Sequence, residues 1–244
     1  MRRFGVLLMM VTAMAVGFGG NALAADVSAG ADVVSAYVWR GITFNDEAVV
    51  QPYVDVTAEN GININVWGNY DLGDYNETVD NGEFSEIDLT LSYGFSLDPV
   101  DITVGHIEYL FPGVNGDQGT SELFIGASVS PLEGLSAGID FYYDYDEGEE
   151  YYTAASLSYD FELPGGVGIG LGGSAGYAGN KYAADGDHDF YDYNLSCSAS
   201  YAVTDAVGVS AFIAYTDSFD DDNTLTKPDL DVDVYGGGGF SVSF

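Results

Sequence analysis

The chain has 244 residues, and its 39 acids against five lysines and arginines give a formal net charge of −34. Such an excess repels phosphate, which argues against nucleic acid and anionic head groups as direct charge partners and makes cations the natural counter-charges. Nineteen tyrosines and 14 phenylalanines supply the apolar surface that a disordered acidic chain lacks.

The first residues read as a secretory signal. Arg2 and Arg3 form the positive start, residues 4–20 are apolar, and Ala22-Leu23-Ala24 offers a small-x-small cleavage site. This divides the chain into a signal peptide, residues 1–24, and a single domain, residues 25–244. Beyond the signal no apolar run approaches the roughly 20 residues of a spanning helix. The mature chain keeps only Arg40, Lys181 and Lys227 as bases. The lone Cys197 forms no intramolecular disulfide and reads as a small apolar residue on a lipid-facing or packed position.

From about residue 28 onward, alternating segments predict strands over 28–40, 48–58, 61–71, 84–97, 100–110, 120–130, 135–145, 151–163, 167–178, 190–202, 206–216 and 230–244. In the third, Ile62, Ile64 and Val66 oppose Asn63, Asn65, Asn69 and Asp71. In the fourth, Ile87, Leu89, Leu91 and Tyr93 oppose Glu86, Asp88, Thr90 and Ser92. The seventh sets Leu135, Ala137, Ile139, Phe141 and Tyr143 against Ser136, Gly138, Asp140 and Asp144. The tenth sets Tyr193, Leu195, Cys197, Ala199 and Tyr201 against Asp192, Asn194, Ser196, Ser198 and Ser200. The last carries Val232, Val234, Phe240, Val242 and Phe244 on one parity, with Asp231, Asp233, Ser241 and Ser243 on the other.

Short connections rich in turn formers (Glu59-Asn60-Gly61, Asp98-Pro99, Pro131-Leu132-Glu133-Gly134, Pro164-Gly165-Gly166, Val203-Thr204-Asp205) alternate with connections at 41–47, 72–83, 111–119, 147–150, 179–188 and 218–229. All of the second kind but 147–150 are long and polar. Segments of about ten residues in this order predict an all-β fold, a transmembrane up-and-down antiparallel β-barrel of about twelve strands, with both termini on the periplasmic side. A soluble sheet with one wet face would also alternate. Two features favour the membrane: tyrosine and phenylalanine gather near segment ends, and the polar parity is too polar to pack on a second sheet. One stretch breaks the alternation, because His106 and Glu108 follow Val100, Ile102 and Val104 onto the lipid parity. A bulge near Gly105 that turns both inward is the preferred reading, and a position at head-group level is the alternative.

The stretch Ser35-Ala36-Tyr37-Val38-Trp39-Arg40-Gly41-Ile42-Thr43 resembles the N-terminal signature of the TorF family of porin-like proteins: tyrosine, one residue, an aromatic, arginine, glycine, isoleucine and a polar residue. Tyr109, Phe111, Pro112 and Gly113, and the run Ser121-Glu122-Leu123-Phe124-Ile125-Gly126, are further points of likeness. The resemblance implies an outer-membrane, porin-like protein and names no solute. The chain departs from it in its acidity. Phe240, Val242 and the terminal Phe244 resemble the signal read by the barrel-assembly machinery, so outer-membrane lipid and lipopolysaccharide are expected surroundings.

The acids of the polar parity, Asp55, Asp71, Glu86, Asp88, Asp101, Glu122, Asp140, Asp144, Asp160, Asp192, Asp231 and Asp233, are the candidate pore lining, together with Arg40. Carboxylates on an inner wall must be hydrated, paired or bound to counter-ions, and so few bases cannot pair them. A hydrated acidic lumen favours cations. The expectation is therefore passive diffusion of small cationic or neutral polar solutes; the alternatives are a closed structural barrel and a lipid-modifying barrel enzyme. Arg40 either fixes the upper barrel by bridging carboxylates or forms a constriction. Asn63, Asn65, Asn69 and Asn194, with Tyr142 and Trp67, read as ordinary lumen residues rather than a sugar site. Asp185, Asp187 and Asp189 have calcium-loop spacing, but Phe190 stands for the required glycine and Ser196 for the closing glutamate. Asp217 and Asp220 to Asp222 form another acidic loop, so no dedicated metal site and no cofactor are expected. His106 and His188 are the only histidines; His106 has no serine at a recognisable motif spacing, though neighbouring strands could bring Ser121 to it.

Overall fold

A computed structural model describes residues 25–76, 79–112, 119–179, 188–219 and 230–244. The segment read as a signal, residues 1–24, lies outside the described residues, as do Lys181, Lys227, Asp185, Asp187 and Asp220 to Asp222. In chain order the strands are β1 Ala25–Val34, β2 Tyr37–Trp39, β3 Ile42–Asn45, β4 Val49–Ala58, β5 Ile62–Asp71, β6 Phe84–Leu97 and β7 Val100–Leu110. There follow β8 Thr120–Leu132, β9 Leu135–Asp144, β10 Glu150–Leu163, β11 Val167–Ala178, β12 Asp189–Ala202, β13 Val207–Ser218 and β14 Val234–Ser243.

Twelve of these strands close into one antiparallel barrel, each paired with its neighbour in sequence once β2 and β3 are set aside. The barrel shuts where β1 meets β14, with Ser28 opposite Ser243 and Val34 opposite Gly237. Closure leaves no unpaired edge, which a sheet in lipid requires. The predicted turns mark one end of the barrel, where both described termini also lie: Ala25 stands opposite Ala58, beside the turn at Glu59-Asn60.

The alternation reads directly onto the two faces. Leu123, Ile139, Leu157, Leu195, Ile213 and Phe240 point outward with half or more of their surface exposed. Cys197 is exposed and shares the parity of Leu195. Aromatic pairs gather at both rims, Tyr93 with Phe95 and Tyr159 with Phe161 near the short turns, Tyr70 with Phe84 and Tyr177 with Phe190 near the longer connections. Such belts suit amphipathic rings at the two interfaces of a bilayer.

Three expectations change. First, β6, β7 and β8 pair without a register shift through Gly105, so no bulge turns His106 and Glu108 inward. They keep the outward parity near the rim, His106 Nε2 at 2.8 Å from the Tyr145 hydroxyl and Glu108 accepting a 2.7 Å bond from Ser121. Ser121 thus donates to a carboxylate and not to His106. Gly105 has a packing reason instead: a Cβ there would meet the Phe124 ring at 2.5 Å and the Leu91 carbonyl oxygen at 2.8 Å. Gly105→Val is therefore expected to displace that ring and lower stability by about 1–3 kcal/mol. The unfolding midpoint in detergent or lipid checks it, and an unchanged midpoint would refute the account.

Second, the final strand begins at Val234, so Asp231 and Asp233 stand before it and not on its inner face. Third, the first barrel strand ends at Val34, six residues before Arg40. Tyr37 to Asn45 leave the wall altogether and form a separate two-stranded hairpin, β2 with β3.

Candidate functional site

The β2–β3 hairpin is a local product of its sequence. Tyr37, Trp39, Ile42 and Phe44 are residues with strong strand preference. Trp39 pairs with Ile42 across a two-residue turn made of Arg40 at φ 48° and Gly41 at φ 77°. Positive φ at both central positions makes this a type I′ geometry, whose twist matches that of the flanking strands. Glycine adopts it freely, whereas an arginine there is held against its own preference by roughly 1–2 kcal/mol. Its contacts outside the turn must supply the compensation.

Those contacts place the hairpin inside the barrel. In a ring of twelve strands, β9 stands opposite β1, flanked by β8 and β10. Arg40 reaches that far wall. Its guanidinium donates to both carboxylate oxygens of Glu122 on β8, Nη1 to Oε1 at 2.7 Å and Nη2 to Oε2 at 2.9 Å. Both side chains are buried, 7 % and 3 % exposed. The guanidinium carbon lies 4.1 Å from the Trp39 ring centre, 4.5 Å from Tyr142 on β9 and 4.5 Å from Tyr152 on β10. Tyr109 on β7 adds a 2.9 Å bond to Glu122 Oε2. The hairpin therefore starts at one wall, crosses the lumen and ends in a bidentate, aromatic-walled clamp on the other.

Its flanks are tied as well. On one side Tyr37 donates to Glu86 at 2.8 Å and Asn45 donates to Asp71 at 2.7 Å. On the other, the backbone amides of Asp231 and Val232 donate to Thr43 Oγ1 at 3.2 and 3.1 Å. Ile42 packs against Tyr152, Ala178, Tyr191 and Leu230, while Trp39 and Phe44 pack against Val34, Tyr37 and Val49. Carboxylates are the receptors for this insert, because the hairpin brings hydroxyl, amide and guanidinium donors to them. Each such bond satisfies a buried acid that would otherwise be costly.

The candidate residues sort by level. Asp71, Glu86, Asp88, Glu122, Asp144 and Asp192 face inward in the half beneath the longer connections, level with the hairpin. Asp144 accepts from Thr120 and from its own turn, and Asp192 accepts from Tyr152 at 2.8 Å. One buried oxygen each of Asp71 and Asp88 finds no protein donor. Asp140 lies on the inner wall near mid-strand, and Asp55, Asp101 and Asp160 lie toward the short turns, below the hairpin. There Asn63 and Asn65 donate to Asp55 at 2.8 and 3.3 Å, and Ser96 hydrogen-bonds Asp101. A cavity of about 150 Å³ opens against this wall, lined by Asp101, Thr103, Asp140, Ser156 and Ser158. Small residues keep it open, since Gly126, Ala127, Ser128, Ser136, Ala137 and Gly138 make up the rest of its lining.

Asp231 and Asp233 are not on the wall; Asp233 offers its carbonyl oxygen to the Thr216 amide at 2.8 Å. Phe240 and Phe244 are 53 % and 82 % exposed on the outer side. Val242 shares their parity and stands between Ala29 and Val207. The sequence pattern pointed to Tyr37, Trp39 and Tyr109 only through the family likeness and to no role for Asn45, Glu150 or Tyr152. For the hairpin residues Tyr37, Trp39 and Asn45 the signal was the Arg40-Gly41 pair between aromatic flanks, hidden because Arg-Gly is a weak version of Asn-Gly; Tyr109, Glu150 and Tyr152 carry no such local signal. Among the described residues no group of three His, Cys, Asp or Glu has the arrangement of a metal site.

The architecture is similar to that of known outer-membrane barrels. A NanC porin superposes with a TM-score of 0.56 at 11 % identity, over 90 % of this chain and 98 % of that one. The KdgM porin in complex with disordered oligogalacturonate gives 0.57 at 9 % identity, over 90 % and 99 %. An outer membrane channel from Pseudomonas putida F1 gives 0.57 at 11 % identity, over 92 % and 98 %. At these identities the likeness is one of fold. No curated protein matches the chain in sequence. A family match does cover residues 19–237, and the expected TorF name is replaced by it: the chain belongs to the family described as "Bacterial protein of unknown function (Gcw_chp)".

Proposed function

We propose that the protein is a porin-like channel of the outer membrane that passes small cationic or neutral polar solutes and is narrowed by its own inward hairpin. The observation that carries this reading is the charge of the inner wall. Asp71, Glu86, Asp88, Asp140, Asp144, Glu150 and Asp192 are inward-facing carboxylates, and Arg40, already engaged with Glu122, is the single lysine or arginine among the described residues. A wall so charged must hold water or mobile cations, and it repels anions. The solute class then differs from the polyanionic oligogalacturonate seen with the KdgM porin.

The likeness of residues 35–43 to the TorF signature fits this reading, since that motif builds the constriction. Export by residues 1–24, recognition of Phe240, Val242 and Phe244 by the barrel-assembly machinery, and contact with lipopolysaccharide at the outer rim belong to the same proposal. Asp55, Asp101, Asp140 and Asp160 are its pore-lining acids.

Reconstitution into planar bilayers under a salt gradient tests it. Stepwise conductance with a reversal potential displaced toward that of the cation is the expected result; anion preference would refute the charge argument. A second reading, a closed structural barrel, draws on the hairpin that crosses the lumen. Silence from both the native chain and a chain with residues 37–45 replaced by a short glycine-serine link would favour it.

A further inference from the structure

Arg40 is held as a receptor holds a guanidinium ligand. Glu122 receives two of its N–H groups in parallel at 2.7 and 2.9 Å, and Tyr109 fixes that carboxylate from the side. Trp39, Tyr142 and Tyr152 surround the guanidinium carbon at 4.1 to 4.5 Å. Neutralising one charge needs only one carboxylate. Three ring faces and a forked acceptor select a flat, delocalised cation over a compact ammonium. The occupant sits on a two-residue turn, at a φ that arginine disfavours. The hairpin's ladder and its Tyr37 and Asn45 anchors lie back from this tip, where Trp39 and Ile42 give apolar packing and Arg40 gives the charged grip.

We infer that the cage is a recognition site for guanidinium-bearing organic cations, filled by Arg40 as a tethered stand-in, so that an entering guanidinium solute competes with Arg40 and frees the hairpin tip. The gating consequence rests on the channel reading above; the binding step does not. A group on a short tether acts at an effective concentration on the order of millimolar or more. The native chain therefore responds only to millimolar or higher solute, and emptying the cage removes the competitor.

The full chain with Arg40→Gly empties it while keeping the turn, because glycine accepts the positive φ. Trp39 forms one wall of the cage and Trp67 is the only other tryptophan, so Trp67→Phe leaves Trp39 as the sole reporter. Methylguanidinium should then produce a saturable change in Trp39 emission at roughly tenfold lower concentration than in the chain retaining Arg40. Adding Glu122→Gln should weaken that binding by roughly tenfold or more, the scale of a lost charged hydrogen bond. Methylammonium at equal ionic strength should bind roughly tenfold more weakly.

In bilayers the two chains should respond with opposite signs: methylguanidinium raises conductance of the native barrel by displacing the tip and lowers that of Arg40→Gly by refilling the cage. The native arm needs no variant, so a poorly folding Arg40→Gly leaves the test intact. Equal Trp39 responses to methylguanidinium and methylammonium, indifference of that binding to Glu122→Gln, or no saturable Trp39 response in either chain would overturn the inference. Saturable binding in a barrel that never conducts would overturn the channel reading alone, and conduction without selective binding would overturn the cage alone.

Discussion

Glu122→Ala should lower the stability of the barrel by about 3 kcal/mol and release the tip of the inner hairpin. The substitution removes the carboxylate that accepts two N–H groups of the buried Arg40 guanidinium and the hydroxyl of Tyr109. Removing one partner of a buried ion pair typically costs about 3–5 kcal/mol, because the remaining charge stays desolvated. The lower end applies here, since other carboxylates share the half of the lumen in which Arg40 sits. The check is the unfolding midpoint in lipid, together with conductance. The double variant Arg40→Ala with Glu122→Ala should be less destabilised than the sum of the two single variants, since the two groups interact directly and each single variant already loses that interaction. Additive losses would show that the two groups do not act as a pair. A rise in single-channel conductance of Glu122→Ala is the accompanying expectation; unchanged conductance would mean that the clamp does not set the width of the path.

Leu157→Arg should destabilise the folded barrel in a bilayer by about 2–4 kcal/mol, whereas Ser158→Arg, one residue on, should change stability by less than about 1 kcal/mol. Leu157 lies midway along β10, opposite Gly173 and Ala137, and is 56 % exposed on the outer face. An arginine there meets hydrocarbon. Ser158 faces the other way and lines the cavity that also holds Asp101 and Asp140. An arginine there finds carboxylates and water, and it should reduce the preference of the pore for cations. Reversible denaturant unfolding from lipid vesicles measures the first pair of effects and reversal potentials the second. Equal losses from the two variants would mean that the faces are not lipid and water, and the barrel's orientation would have to be redrawn.

The barrel itself was legible in the sequence. A strand between lipid and water needs opposite chemistry at successive positions, so Ile62, Ile64 and Val66 against Asn63 and Asn65 reveal both the strand and its faces without any distant partner. Strand β6 begins and ends at the residues the pattern predicts, as do β7 and β11. Turn chemistry marked the short connections for the same reason, since glycine and proline act locally.

Only the tertiary structure decided what happens between Val34 and Val49. Tyr37 alternating with Trp39, and Ile42 with Phe44, satisfy a strand facing lipid and a hairpin packed in a lumen equally well, so local pattern cannot choose. The choice is made by partners far along the chain: Glu86 lies 49 residues from Tyr37, and Glu122 lies 82 from Arg40. The same distance hid the roles of the acids. Period two puts a carboxylate on the inner face, but closure of the ring decides whether it meets the inward hairpin, as Glu86 and Glu122 do, or the open wall below, as Asp101 and Asp140 do.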